Sequence, residues 1–187
     1  MKLILASQSP RRRELLTMLG LEFTVQAADI DETMDPDLPP AEAVQAVSRK
    51  KAAAIQAPAD TVILAADTVV VIDGRILGKP HSTEEAAQML RLLSGREHTV
   101  ITAMTLRCGE KECCEAVCTG VKFRELTDAE IAAYIRTGES MDKAGAYAVQ
   151  GVGAVLIEEI HGDYYTVMGL PLCTLGRRLQ EFGISIL

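Results

Sequence analysis

Basic charge is scarce in this chain: 19 Lys and Arg stand against 26 Asp and Glu, giving a net charge of -7 and a sequence pI near 5.0. So acidic a chain lacks the cationic footprint that a phosphate backbone requires, and duplex nucleic acid is not an expected partner. Long apolar runs are missing as well. The strongest, Thr61 to Ile72, contains Asp67 and stops at Asp73-Gly74, short of a membrane span. The N-terminal apolar stretch, Leu3 to Ala6, meets Arg11, Arg12 and Arg13 where a signal peptide would place its cleavage site. The five cysteines, an odd number in 187 residues, are not needed as staples and point to reduced thiols and a cytoplasmic setting. Aromatics make up 4%, with no Trp. There is no repeat, linker or biased segment, and 48% hydrophobic against 24% charged residues is ordinary globular composition, which excludes disordered and collagen-like classes.

Missing motifs narrow the chemistry. Without Gly-x-x-x-x-Gly-Lys-Ser/Thr the chain is not a P-loop ATPase, and without Gly-x-Ser-x-Gly it has no serine nucleophile elbow. Cys108, Cys113, Cys114 and Cys118 are close in sequence but do not form two separated Cys-x-x-Cys pairs, and strand alternation would send some thiols to opposite faces, so zinc is disfavoured. His81, His98 and His161 fall near turns in no ligand pattern and are expected at the surface.

The patterning that is present predicts a mixed α/β fold. Lys2 to Ala6 reads as a buried strand; Ser9-Pro10 then opens a helix to Gly20 with Leu15, Leu16 and Leu19 inward. A second helix follows Pro39-Pro40 to about Ala57, with Val44, Val47, Lys51 and Ile55 on one stripe. Thr61 to Ile72 and Arg75 to Leu77 form a hairpin across Asp73-Gly74. Capping boxes at Ser82/Glu85 and Thr127/Glu130 start two more helices, ending near Gly95 and Gly138. His98 to Leu106 and Ala116 to Phe123 alternate as strands, Ala154 to Ile160 and Tyr164 to Met168 read as a hairpin, and a last helix from Pro171 turns Leu172, Leu175, Leu179 and Phe182 inward.

Several residues break these patterns in ways that carry chemistry. The first 13 residues hold Lys2, Arg11, Arg12 and Arg13 and no acid. Free N–H groups at the Ser9-Pro10 helix start, the helix dipole and the guanidiniums together would cradle phosphate, with Ser7 and Ser9 as further donors; the competing reading is a solvated basic turn. Asp67 interrupts an apolar strand, where it is a metal ligand, a general base or a hydrogen-bonded structural acid. Lys51, on an inward stripe, either snorkels or points into a cleft. The loop carrying Asp29, Asp31, Glu32, Asp35 and Asp37 is either solvated or holds Mg²⁺ through one carboxylate. Ideal hairpin pairing sets Ile72 against Arg75 and Thr68 against Lys79, so Lys79 joins Asp67 only if a bulge or strand end intervenes.

Taken together, Ser7-Gln8-Ser9-Pro10-Arg11-Arg12-Arg13-Glu14-Leu15-Leu16, Ala66-Asp67-Thr68-Val69, Gly78-Lys79-Pro80, Asp142-Lys143-Ala144-Gly145-Ala146-Tyr147 and Gly169-Leu170-Pro171 resemble the motif series of the Maf nucleotide pyrophosphatases, in order and across essentially the whole chain. The resemblance implies a single domain with a mixed sheet and flanking helices, similar to the inosine triphosphate pyrophosphatases, with two lobes around a central cleft. It also implies hydrolysis of nucleoside triphosphates to monophosphate and pyrophosphate, dependent on a divalent metal such as Mg or Mn. By the same resemblance Asp67 is the proton acceptor; Ser7, Arg11, Arg12, Lys51 and Lys79 bind phosphate; Glu32 and Asp67 hold the metal. Arg11, Thr68 and Gln150 are the specificity positions and look like the branch acting on dTTP and UTP. The Cys-rich segment around Cys113-Cys114 departs from the family pattern. A non-catalytic nucleotide-binding regulator of septum formation is the alternative, and a homodimer is compatible with a small α/β enzyme.

Overall fold

A computed structural model describes residues 1–187. Strands β1 (Lys2–Leu5), β2 (Thr24–Val25), β3 (Thr61–Ile72), β4 (Arg75–Leu77), β5 (Glu97–Cys108), β6 (Lys111–Phe123) and β7 (Ile157–His161) alternate with helices α1 (Pro10–Met18), α2 (Pro40–Ala54), α3 (Thr83–Leu93), α4 (Asp128–Arg136), α5 (Tyr164–Met168) and α6 (Leu172–Glu181). Short 3₁₀ segments cover Ala144–Ala146 and Gly151–Leu156. The hydrogen-bonded strand order is β2-β1-β3-β5-β6-β7, with β4 added on β3. Pairing is parallel from β1 to β2 and β3 and antiparallel from β3 to β4 and β6 to β7, so the sheet is mixed as expected. No helix is long and apolar enough to cross a membrane.

The chain forms two compact units, and three strands pass from one to the other: β3 between Asp67 and Thr68, β5 between Ile101 and Thr102, β6 between Val117 and Cys118. The first comprises Met1–Asp67, Thr102–Val117 and Gly169–Leu187. Here β1 lies between β2 and β3, with Leu3 opposite Val62 and Leu5 opposite Leu64. Helix α1 buries Leu15 and Leu16, α2 buries Val44, Val47 and Ala52, and α6 buries Leu172, Leu175 and Leu179, the apolar stripes that the 3.6-residue period predicts.

The second unit comprises Thr68–Ile101 and Cys118–Met168. Its core joins Val70 and Ile72 of β3 to Leu90 and Leu93 of α3, Phe123 of β6, Ile131 and Tyr134 of α4, and Tyr147. Thr127 with Glu130 forms the expected reciprocal capping box, whereas at Ser82 only half of one is built: Ser82 Oγ accepts the Glu85 N–H at 3.1 Å, but the Glu85 carboxylate accepts the His81 N–H at 2.7 Å instead of that of Ser82. The β3–β4 hairpin pairs Ile72 with Arg75, with Asp73 at φ 50 and Gly74 at φ 73 as a type I′ turn demands.

Three expectations need correction. Tyr164 to Met168 is helix, not strand: the Asp163 carboxylate accepts the Tyr165 N–H at 3.0 Å and the Thr166 hydroxyl at 2.9 Å, so Asp163 initiates a helical turn where a second hairpin strand was expected. Ala154 to Leu156 is correspondingly 3₁₀, and only Ile157–His161 extends. His98 is not at the surface: it sits on β5 at 3% exposure, its ring edge-on to Phe123 and Tyr147 and its Nε2 2.7 Å from the Tyr147 hydroxyl. Burial pushes its pKa down to about 4, and its buried Nδ1 has no partner.

Candidate active site

The first unit gathers five of the side chains singled out in the sequence. Asp67 is its last residue on β3, 8% exposed behind Ala65 and Ala66. Lys51 comes from the final turn of α2, one helical turn after the buried Val47, so the register that seats the apolar stripe also carries the lysine inward. Its Nζ donates to Asp67 Oδ1 at 2.7 Å and lies 3.0 Å from Glu32 Oε1. Of the two alternatives for Lys51, snorkelling is excluded: its ammonium is turned inward and bridges two carboxylates. A mostly buried acid is thereby kept paired, which is how a charge survives in an apolar strand.

The acidic loop separates by local bonding. Asp31 Oδ1 accepts the Thr33 N–H at 2.9 Å and its hydroxyl at 2.6 Å, and these bonds hold the Asp31 carboxyl below its ordinary pKa. Asp35 Oδ1 accepts the Asp37 N–H at 2.9 Å. Both acids shape turns. Glu32 is the member of the loop that reaches Lys51, with its side chain about half exposed.

On α1, Arg12, Leu15 and Leu16 occupy one helical face, and Arg12 is buried with the two leucines while Arg13 is exposed and Arg11 half-buried. Arg12 Nε donates to the Gly169 carbonyl at 2.8 Å and Nη1 to Ser7 Oγ at 3.2 Å. Ser7 Oγ also accepts the Ser9 N–H at 3.2 Å, tying the end of β1 to the start of α1. Burial lowers the Arg12 pKa most; Asp67 and Glu32 raise it, and Arg11 lowers it. The guanidinium therefore feels both carboxylates, and it remains charged at neutral pH as guanidiniums do. Ser7, Arg12, Glu32, Lys51 and Asp67 make one electrostatic cluster, with Arg11 and the α1 N-terminus supplying further positive potential.

The remaining candidates belong to the second unit. Thr68 is half-buried at its first position on β3. β3–β4 pairing ends at Val70 and Leu77, so the strand end on which Lys79's position depended does intervene; Lys79 is exposed in the loop beyond it. Gln150 is exposed, its backbone extended at φ −98, ψ 161.

Sequence reasoning passed over two contributors. The Gly169 carbonyl orients Arg12, and its only signal was its place in the Gly169-Leu170-Pro171 motif. Ser48 sits on the inward stripe of α2 and its hydroxyl contacts Thr105 Oγ1 at 2.8 Å and the Ala65 carbonyl at 3.4 Å, seating α2 on β3 one turn before Lys51. A polar residue at a stripe position was the available signal.

The donor chemistry suits a hard divalent ion. Glu32 and Asp67 already converge on one cation, and Mg²⁺ or Mn²⁺ takes one or two carboxylates and completes its shell with water and substrate phosphate. No cluster of three or more His, Cys, Asp or Glu side chains is built into the chain, so a closed cage for a soft ion does not fit.

A family model described as Maf-like protein matches residues 2–182. The dTTP/UTP pyrophosphatase of Bacillus velezensis is 49% identical over 98% of both chains. That of Moorella thermoacetica is 50% identical over 99% of this chain and 97% of its own. Among solved structures, a HAM1 protein from Coxiella burnetii superposes with a TM-score of 0.55 at 16% identity, covering 97% of this chain and 99% of that one, a likeness of fold.

Proposed function

The chain belongs to the Maf-like protein family, and from that premise we propose that it hydrolyses dTTP and UTP to the monophosphate and pyrophosphate. The observation that carries this reading is a buried strand carboxylate, Asp67, fixed at 2.7 Å by Lys51 in the electrostatic field of Arg12. The near-complete coverage of relatives bearing that activity in their names supports the substrate.

In the proposed mechanism Arg11, Arg12 and Lys51, with Lys79, neutralise the polyphosphate, and the α1 N-terminus offers N–H groups to its oxygens. Arg12 is held by Gly169 and Ser7 before substrate arrives, so its orientation is already set at low entropic cost. Asp67 accepts a proton from water as the water oxygen attacks the α-phosphorus; the bond to the β-bridging oxygen breaks and pyrophosphate leaves. Lys51 engages Oδ1 and so fixes the plane of the carboxylate. Glu32 and Asp67 would hold a divalent ion, Mg²⁺ or Mn²⁺, which supplies charge neutralisation and orientation of the phosphates when bound. Gln150, with a donor and an acceptor on one amide, reads the pyrimidine edge, and Arg11 and Thr68 complete the specificity positions.

Pyrophosphate release tests the reading. With Mg²⁺ or Mn²⁺ present, dTTP and UTP are expected to yield pyrophosphate and monophosphate in equal amounts, faster than dATP and dGTP, and chelation is expected to stop the reaction. Tight nucleotide binding without turnover under any metal would instead favour a regulatory binding protein.

A further inference from the structure

The loop that carries Gln150 is fastened on both sides to two side chains of the α4 region that no catalytic or binding role absorbs. Tyr134, in the last turn of α4, is 3% exposed, and its hydroxyl accepts the Ala148 N–H at 3.1 Å while donating to Glu139 Oε1 at 3.0 Å. Glu139 then accepts the Gly153 N–H on Oε1 at 2.9 Å and the Val152 N–H on Oε2 at 3.0 Å. One carboxylate thus takes three donors, the Tyr134 hydroxyl and two N–H groups, and that hydroxyl takes a further N–H from the near side of Gln150. Burial raises the Tyr134 pKa most, and Glu139 raises it further, so the phenol stays a donor.

The backbone is shaped around this carboxylate. Gly151 lies at φ +75, and a Cβ there would approach Glu139 Oε2 to 2.4 Å. At Gly153 a Cβ would meet the Ala148 carbonyl at 2.3 Å, the Tyr134 hydroxyl at 2.8 Å and Glu139 Oε1 at 3.0 Å. Only glycine permits such wrapping at both positions. Upstream, Gly145 donates to the Gly78 carbonyl at 3.0 Å and packs on Val70, and Tyr147 is seated against His98, so the segment is also anchored before Ala148. Gln150 stands between these fixed points with its side chain exposed.

We propose that Tyr134 and Glu139 form a clasp that positions Gln150, making them specificity-positioning residues for the nucleotide base; this rests on the reading of Gln150 given above. The clasp acts by holding the backbone at 148–153, so that the Gln150 amide meets the base without first ordering a loop. A side chain selected for discrimination by hydrogen bonding gains from such fixing, because the wrong base is rejected only if the amide cannot move to accommodate it.

The test measures kcat/KM for dTTP and dATP in wild type, Glu139→Gln, Tyr134→Phe, Gln150→Ala and the Glu139→Gln/Gln150→Ala double variant. Glu139→Gln turns one acceptor oxygen into an NH₂ group facing a donor, and Tyr134→Phe deletes the hydroxyl while keeping the ring. Each is expected to lower the dTTP-to-dATP ratio by about tenfold, through a rise in KM for dTTP with kcat at saturation changed by less than about threefold. Adding Glu139→Gln to Gln150→Ala should lower the ratio no further, because both act through one amide. A preserved ratio in both single variants, or an equal loss of kcat on both triphosphates, overturns the clasp. If Glu139→Gln does not fold, Tyr134→Phe decides on the same ratio. The parent reading fails differently: wild type releases no pyrophosphate, or Gln150→Ala leaves the ratio unchanged, in which case the clasp falls with it.

Discussion

Replacing Lys51 with Met tests whether the Asp67 carboxylate depends on its ammonium partner. The side chains of Lys51 and Asp67 are 10% and 11% exposed, and their contact is 2.7 Å, so methionine would leave a carboxylate with little access to water. Breaking a buried pair by removing one member costs roughly 3–5 kcal/mol. Two features pull the value down. Arg12 is coupled to Asp67 and continues to offset its charge, and Glu32, at 54% side-chain exposure, regains solvent and contributes within the range of about 0–1 kcal/mol typical of surface pairs. We expect a loss of about 2–4 kcal/mol, read as a fall in urea midpoint of roughly 1 M at a slope near 3 kcal/mol/M. The decisive variant is Lys51→Met combined with Asp67→Asn. Once the carboxylate is neutralised the methionine no longer strands a charge, so the double variant should recover at least about 1 kcal/mol relative to the sum of the single losses. Strict additivity of the two losses would refute the view that Lys51 stabilises the strand acid.

Much of this site was legible in the sequence as a pair of faults. Asp67 violates an apolar strand and Lys51 violates an apolar helix stripe, and each alone had a structural explanation. The fold cancels the two violations against each other across 16 positions of sequence, a pairing set by where α2 lies on β3, which no local pattern encodes. The choice among Arg11, Arg12 and Arg13 was nearer the surface of the sequence: Arg12 stands three and four residues before Leu15 and Leu16, so it shares their inward face. The starts of α3 and α4 and the β3–β4 register were readable because side-chain caps and a two-residue turn are local chemistry, whereas Ser9 makes no cap bond and α1 starts on Pro10. β2 was not, since two residues carry no period and are extended only because β1 offers them a parallel edge. The N-terminal half of β6 was missed because Cys113 through Val117 are all half-buried, which erases alternation. The boundary between units was invisible because it crosses the interiors of β3, β5 and β6, where strand propensity is continuous.

Asp67→Asn keeps size and a hydrogen-bonding group for Lys51 while abolishing the base; kcat for dTTP is expected to fall at least about 10²-fold with the far-ultraviolet circular dichroism spectrum unchanged, and an unaltered kcat would exclude Asp67 as proton acceptor. His98 should make the second unit sensitive to acid in a window set by its own burial. A free histidine titrates near 6.5, whereas His98 in the folded chain is held to about 4, so between these values the unfolded chain takes up a proton that the native core refuses. Stability is therefore full above about pH 6.5 and declines toward pH 4, by up to roughly 3 kcal/mol. His98→Gln removes the titration while leaving an amide for the Tyr147 hydroxyl, so its urea midpoint, lower at pH 7 through lost ring contacts, should fall less steeply than the wild-type midpoint from pH 7 to 4.5. If the two midpoints decline in parallel, other groups govern the acid response and His98 is not buried neutral.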